Sequence, residues 1–191
     1  MLMQIGLLTL TQLSLWGLGT LFLALISLRA LRNPRCHGFY RFFAFSTSAA
    51  VVIPNLPYWY VNLFAPHQVA SWLLLFPSLG LLLGGLYLLI TRGGQRDKAI
   101  PRENFAFENT SALIETGIFH YIRHPMYSAL ILFTWGACLK HATWLGLGLC
   151  LVTTAILWLA ATIEEWENLQ YFGDAYQQYS KRSKAFIPFV L

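Results

Sequence analysis

The chain has 191 residues, of which 57% are apolar or aromatic and only 11% are charged, against roughly 25% charged in a soluble domain. With a mean hydropathy of +0.54 it cannot clothe a water-facing surface, which excludes a soluble enzyme and a disordered chain and points to an integral membrane protein. All eight acidic residues fall from Asp97 onward, so the polar chemistry lies late. The net charge of +5 does not require nucleic acid as a partner, because the basic residues sit in short loops between apolar runs, where the positive-inside bias accounts for them. Cys36, Cys138 and Cys150 fit neither an even disulfide framework nor a metal-ligand spacing, and no metal is expected.

A membrane helix needs about 20 mainly apolar residues. The first expected span, 7–28, carries no charge and stops at Arg29, Arg32 and Arg35. It lacks a basic leading segment and is long enough to span, so it reads as a helix rather than a cleaved signal. The second, 42–64, is interrupted by Pro54 and Pro57, which predicts a kinked span with an aromatic interfacial belt at Tyr58, Trp59 and Tyr60. The third, 69–90, offers Gly80, Gly84 and Gly85 as a smooth packing face. After the polar stretch 91–123, two apolar runs, 126–139 and 142–163, flank Lys140 and His141 and predict a tight helical hairpin. The polar tail 164–191 sets Phe172, Tyr176 and Tyr179 at helical spacing ahead of Ile187, Pro188 and Phe189, and reads as an amphipathic segment on the membrane surface. The expected fold is all-α, a bundle of about five transmembrane helices. Residues 1–90 form three spans and 91–191 a cofactor-binding half.

Lys and Arg number four in 29–41, none in 65–68, five in 92–123, one at 140 and three in 181–184. This alternation suits a multi-pass chain with its N-terminus outside and its polar site facing the cytosol. Pro125 then opens a helix just after Arg123 and His124, and the free N–H groups of that helix favour an anion. The following helix is expected to end at Ile163, where Glu164 and Glu165 favour a cation. Two such ends side by side would read a zwitterion. Glu164, Glu167 and Asn168 share one helical face by their spacing, and Arg123 or a bound cation must compensate the two carboxylates. The same residues also read as membrane anchors and a solvated helix end, and the aromatic stripe as packing. Composition and spacing alone name no reaction.

The run Leu113-Ile114-Glu115-Thr116-Gly117-Ile118-Phe119 leads into Arg123-His124-Pro125-Met126-Tyr127, and Glu164-Glu165 is followed by Phe172-Gly173-Asp174-Ala175-Tyr176 and Tyr179. These two blocks resemble the signature of the isoprenylcysteine carboxyl methyltransferases and their phospholipid N-methyltransferase relatives, over about residues 110–191. The resemblance implies S-adenosylmethionine as cofactor and a lipidic or apolar acceptor in the membrane. An isoprenylcysteine-type carboxylate comes first, with a phospholipid amine or a thiol within the same fold. It also implies that Leu113 and Ile114 border the cofactor and that Gly117 permits a close turn. Phe119, which stands where the family usually has Tyr, would stack on adenine. His124, Pro125, Met126 and Tyr127 would hold the amino-acid moiety and Glu164 its ammonium. Arg123 and Glu165 are the catalytic candidates, Glu165 as the base an amine acceptor would need. The arginine common in prenylcysteine enzymes one turn before the glutamate pair is replaced by Ala160, so either another cation, Arg123 first, takes its place or the acceptor is not a carboxylate. The rival enzyme reading is an NADPH-dependent membrane reductase of the sterol-reductase type, whose phosphate-bearing cofactor would want Lys or Arg where this chain has the glutamate pair. A non-enzymatic membrane subunit is the third.

Overall fold

The computed structural model describes residues 2–94 and 110–187, with side chains from Leu10 onward. Much of the polar stretch 91–123, and Pro188 and Phe189 of the tail, lie outside the described residues. Among the described residues there is no strand. The elements are α1 (Leu2–Ile26), α2 (Leu28–Leu31), α3 (His37–Asn55), α4 (Pro66–Arg92), α5 (Pro125–Cys138), α6 (Trp144–Phe172) and α7 (Asp174–Arg182). By length and composition, α4 and α6 can each cross a membrane. Leu73, Phe76, Leu83 and Ile90 on α4, with Leu151 and Leu159 on α6, stand exposed on their outer faces. An apolar surface this continuous marks contact with lipid or another apolar partner.

The second expected span is shorter than its apolar run. Pro54 sits in the last turn of α3, and Pro57 follows in a 3-10 turn, Leu56–Tyr58. Two missing N–H donors three residues apart end the helical ladder instead of kinking it. At its other end, α3 is started by a carboxylate from α6. The His37 backbone N–H donates to Glu167 Oε1 at 3.1 Å, and the His37 ring Nδ1 lies 2.6 Å from Glu167 Oε2. Glu167 thereby satisfies a free donor at the positive end of α3.

The sequence reading is corrected most at α6. The helix does not stop at Ile163 but runs on to Phe172, ending where Gly173 adopts φ +56°. Glutamate is a good helix former, so the change from apolar to polar residues at position 164 is a change of surroundings and not of backbone. Glu164 and Glu165 therefore lie more than two turns inside the helix, and no dipole end compensates or opposes them.

α4 packs along α5 through small residues and hydroxyls. Ser71 Oγ donates to the Gly136 carbonyl at 2.6 Å and Ser78 Oγ to the Ala129 carbonyl at 2.8 Å. Gly85 lies against Pro125 and Met126, and Gly84 against Ile118, while a Cβ at Gly80 would meet nothing. The smooth face is thus two glycines, not three. α3 packs on α6 through Thr153 and Thr47, whose hydroxyls are 2.8 Å apart. Ala44, Tyr127, Leu157, Ala160, Ala161 and Phe186 close the core between α3, α5 and α6. Lys140, in the turn between α5 and α6, is buried. Its Nζ donates to Gln68 Oε1 at 3.0 Å and lies 3.7 Å from the Trp72 ring centroid, contacts suited to a desolvated ammonium. Its burial pushes the amine pKa down.

Candidate functional site

The start of α5 is held from both sides. The chain approaches it through a 3-10 turn, Gly117–His120. Gly117 has φ +64°, and a Cβ there would come within 2.8 Å of Leu88 Cδ1, so only glycine suits both the backbone and the contact. From the other side the segment after α7 runs alongside. Lys184 N–H donates to the Tyr121 carbonyl at 3.0 Å, Arg123 N–H to Lys184 at 2.7 Å and His124 N–H to Ala185 at 3.0 Å. Ser128 Oγ then donates to the Phe186 carbonyl at 2.8 Å. α7 is tied to the same turn by Tyr179, whose hydroxyl donates to the Phe119 carbonyl at 2.6 Å. Burial pushes that phenol up to about 12.

Within this frame the charges of the two sequence blocks meet. Arg123 Nε lies 2.8 Å and Nη2 2.7 Å from Glu165 Oε1, while Nη1 donates to the Ser180 carbonyl at 3.1 Å and also to that of Ser183. His124, 4% exposed, has Nε2 3.2 Å from Glu165 Oε1 and Nδ1 3.9 Å from Glu164 Oε2. Its ring stacks on Tyr127 at 5.5 Å. Glu165 is thus the common acceptor of an arginine and a histidine, and Arg123 spends its donors on α6 and on the segment that closes the site.

A cavity of about 540 Å³ opens beside this cluster. It follows α4 from Trp72 to Leu89, about 25 Å of helix at 1.5 Å per residue. His124, Glu164, Asn168 and Tyr176 make its wall polar on the side of α6 and α7, whereas Trp59, Trp72, Leu75, Phe76 and Phe133 make it apolar further along. Phe76 is 67% exposed, and Leu79 and Leu82 beside it are exposed too, so the apolar part opens on the flank of α4. The Tyr176 hydroxyl is buried with no hydrogen-bond partner among the described residues. Burial, helped by the carboxylates of Glu165 and Glu164, pushes its phenol pKa up.

Leu113, Ile114, Phe119, Arg123, His124, Pro125, Met126, Tyr127 and Glu164, all singled out in the sequence, line this one cavity. Gly117 and Glu165 stand behind its wall, the first shaping the turn and the second holding Arg123 and His124. Glu167, grouped with Glu164 by spacing, faces α3 instead. Tyr176 and Tyr179, read as packing, line the cavity as well. Arg41 also lines it and was missed. Its signal was a lone basic residue at the edge of the apolar run 42–64, one turn inside α3.

The profile of the phospholipid methyltransferase family matches residues 94–179. The match covers just under half of the chain. The chain is 28% identical over 118 residues to a protein-S-isoprenylcysteine O-methyltransferase of Schizosaccharomyces pombe, a match covering 59% of this chain and 49% of the relative. It is 32% identical over 71 residues to methanethiol S-methyltransferase 1 of Bradyrhizobium diazoefficiens, 37% of this chain and 24% of that protein. The matches thus span about half the length of one curated relative and a quarter of the other. No solved structure matches. The resemblance seen in the two sequence blocks is borne out, and similarity to methyltransferases does not favour a reductase. Among the described residues no three His, Cys, Asp or Glu side chains converge as metal ligands.

Proposed function

We propose that the chain is an S-adenosylmethionine-dependent methyltransferase of the membrane that methylates a lipidic or apolar acceptor, an isoprenylcysteine-type carboxylate before a thiol or a phospholipid amine. The observation that carries this reading is a single cavity with two characters. Its polar part has Glu164, Asn168, His124 and the buried Tyr176 hydroxyl, and its apolar part opens between exposed side chains of α4.

The residues present fit this cofactor. Glu164 offers an acceptor to its ammonium, the first turn of α5 and His124 offer donors to its carboxylate, and Tyr176 offers a hydroxyl with no hydrogen-bond partner among the described residues. Leu113, Ile114 and Phe119 supply the apolar wall on which an adenine rests. When bound, S-adenosylmethionine supplies an electrophilic methyl group on a sulfonium. What remains for the protein is alignment of acceptor and donor and exclusion of water from the nucleophile. Arg123, locked between Glu165 and the carbonyls of Ser180 and Ser183, fixes the closing segment over the site. A carboxylate or thiolate acceptor needs no general base. An amine does, and Glu165, behind the cavity wall, would serve it only through His124.

The same reading includes a multi-pass chain of five spans, with α3 and α5 as short spans beside α1, α4 and α6. The N-terminus lies outside and the site faces the cytosol. Twelve of the thirteen Lys and Arg residues fall on that side, in keeping with the positive-inside bias. The catalytic half is 91–191, α7 lies at the membrane surface, and the first ninety residues complete the cavity wall.

The test is transfer of a labelled methyl group from S-adenosylmethionine by the purified protein to a prenylcysteine acid, a small apolar thiol and phosphatidylethanolamine. Label is expected on the acid. Label on the thiol or the amine would reassign the acceptor, and no label on any of them, with oxidation of NADPH on an apolar alkene instead, would overturn methyl transfer.

A further inference from the structure

We propose that Arg41 of α3 is the residue that recognises the acceptor's carboxylate, taking the place of the arginine absent at Ala160. The proposal rests on the methyl-transfer reading above and adds a specificity determinant from outside the matched half of the chain.

Arg123 is poorly placed for that work. A guanidinium has five N–H donors, and those of Arg123 go to Glu165 through Nε and Nη2 and to the carbonyls of Ser180 and Ser183 through Nη1. All but one are committed to holding the fold. Arg41 also lines the cavity, is 3% exposed, and comes from α3.

Its level in the bundle follows from the antiparallel register of α3 and α6. His37 meets Glu167 and Thr47 meets Thr153, and Ala44 packs in one cluster with Ala160. Arg41 lies between these contacts, on the level of the α6 turn that carries Glu164. Position 41 therefore stands about one turn from the level of position 160, beside the part of α6 that carries Glu164 into the cavity. Ala160, fully buried against Ala44 and Leu157, leaves room for α3 to approach.

A buried guanidinium in an apolar bundle is costly, and such residues mark sites of function. Its planar fork matches a carboxylate with two parallel bonds. Around it Phe45, Leu79 and Leu130 line the cavity, which suits an acceptor whose carboxylate sits on an apolar tail.

The experiment measures binding, which needs no turnover. Affinity for a prenylcysteine acid and for its uncharged carboxamide is determined on the full chain in nanodiscs, for the wild type, Arg41→Gln and Arg41→Lys. Thermal stabilisation by S-adenosylhomocysteine is followed in parallel. The wild type is expected to bind the acid at least tenfold more tightly than the amide. Arg41→Gln should bring the two within twofold while keeping the stabilisation by S-adenosylhomocysteine. Should Arg41→Gln fail to fold, Arg41→Lys carries the test, because it keeps the charge without the fork and should lower the preference at least threefold.

A preference that survives Arg41→Gln, or its absence in the wild type, overturns the proposal. So does equal weakening of acid and amide together with loss of S-adenosylhomocysteine binding, which marks Arg41 as a structural prop. Competition by phosphatidylethanolamine as strong as the acid's own would make a phosphate the recognised group and overturn the carboxylate assignment. If the wild type prefers the acid but ignores S-adenosylhomocysteine, the cofactor reading fails and the recognition by Arg41 stands, so the two are separable.

Discussion

Glu164 and Glu165 are neighbours in sequence with different partners, and substitution should separate them. Glu165 is the acceptor that Arg123 and His124 share, so Glu165→Gln is expected to lower stability by about 2 kcal/mol, the worth of hydrogen bonds to a charged group. A denaturant titration in detergent measures it. Glu164 faces the cavity, so Glu164→Gln should leave the melting point of the free protein nearly unchanged and weaken S-adenosylhomocysteine at least tenfold. Loss of stability without loss of affinity would refute that role. Tyr179 gives a prediction in pH. Its phenol is held up at about 12 by burial, above the ordinary value of about 10. The folded chain then keeps a proton that the unfolded chain releases, and the associated stability is complete below pH 10 and is lost as pH rises toward 12. Thermal melts between pH 8 and 11 should show this decline, and Tyr179→Phe should flatten it by about one proton while costing the bond to Phe119.

At the scale of elements, the turn before α5 depends on Gly117. Gly117→Ala combines a left-handed backbone with a Cβ 2.8 Å from Leu88, and a destabilisation of about 2 kcal/mol is expected, with S-adenosylhomocysteine affinity falling in the same variant because Leu113, Ile114 and Phe119 are carried by that turn. The two sequence blocks around this turn were legible because their residues are consecutive, and consecutive residues at a helix start share one place. The extent of α6 was not legible. Hydropathy registers the change of environment at Glu164, whereas the backbone answers to propensity and stops only at Gly173. Pro54 and Pro57 were read as a kink for the converse reason, since their spacing leaves a kink and a terminus equally open until the packing of α3 on α6 is known.

At the scale of the molecule, one cavity unites three regions of sequence, α3–α4, the block at 110–127 and the α6–α7 block. The last two carry the family match and were found from sequence. Arg41 was hidden because a lone basic residue at the edge of an apolar run counts equally as a topological signal, and only the α3–α6 register turns it toward the site. The charge asymmetry of the chain has the same double meaning, as a marker of sidedness and as the supply of side chains for a charged cofactor. The central claim, a polar cofactor pocket for S-adenosylmethionine, is tested most directly by thermal melts of the purified protein with S-adenosylhomocysteine and with NADPH. Linkage predicts saturable stabilisation by the first, about 2.7 kcal/mol at one hundred times its dissociation constant, and none by the second. Stabilisation by NADPH with no response to S-adenosylhomocysteine would contradict the account.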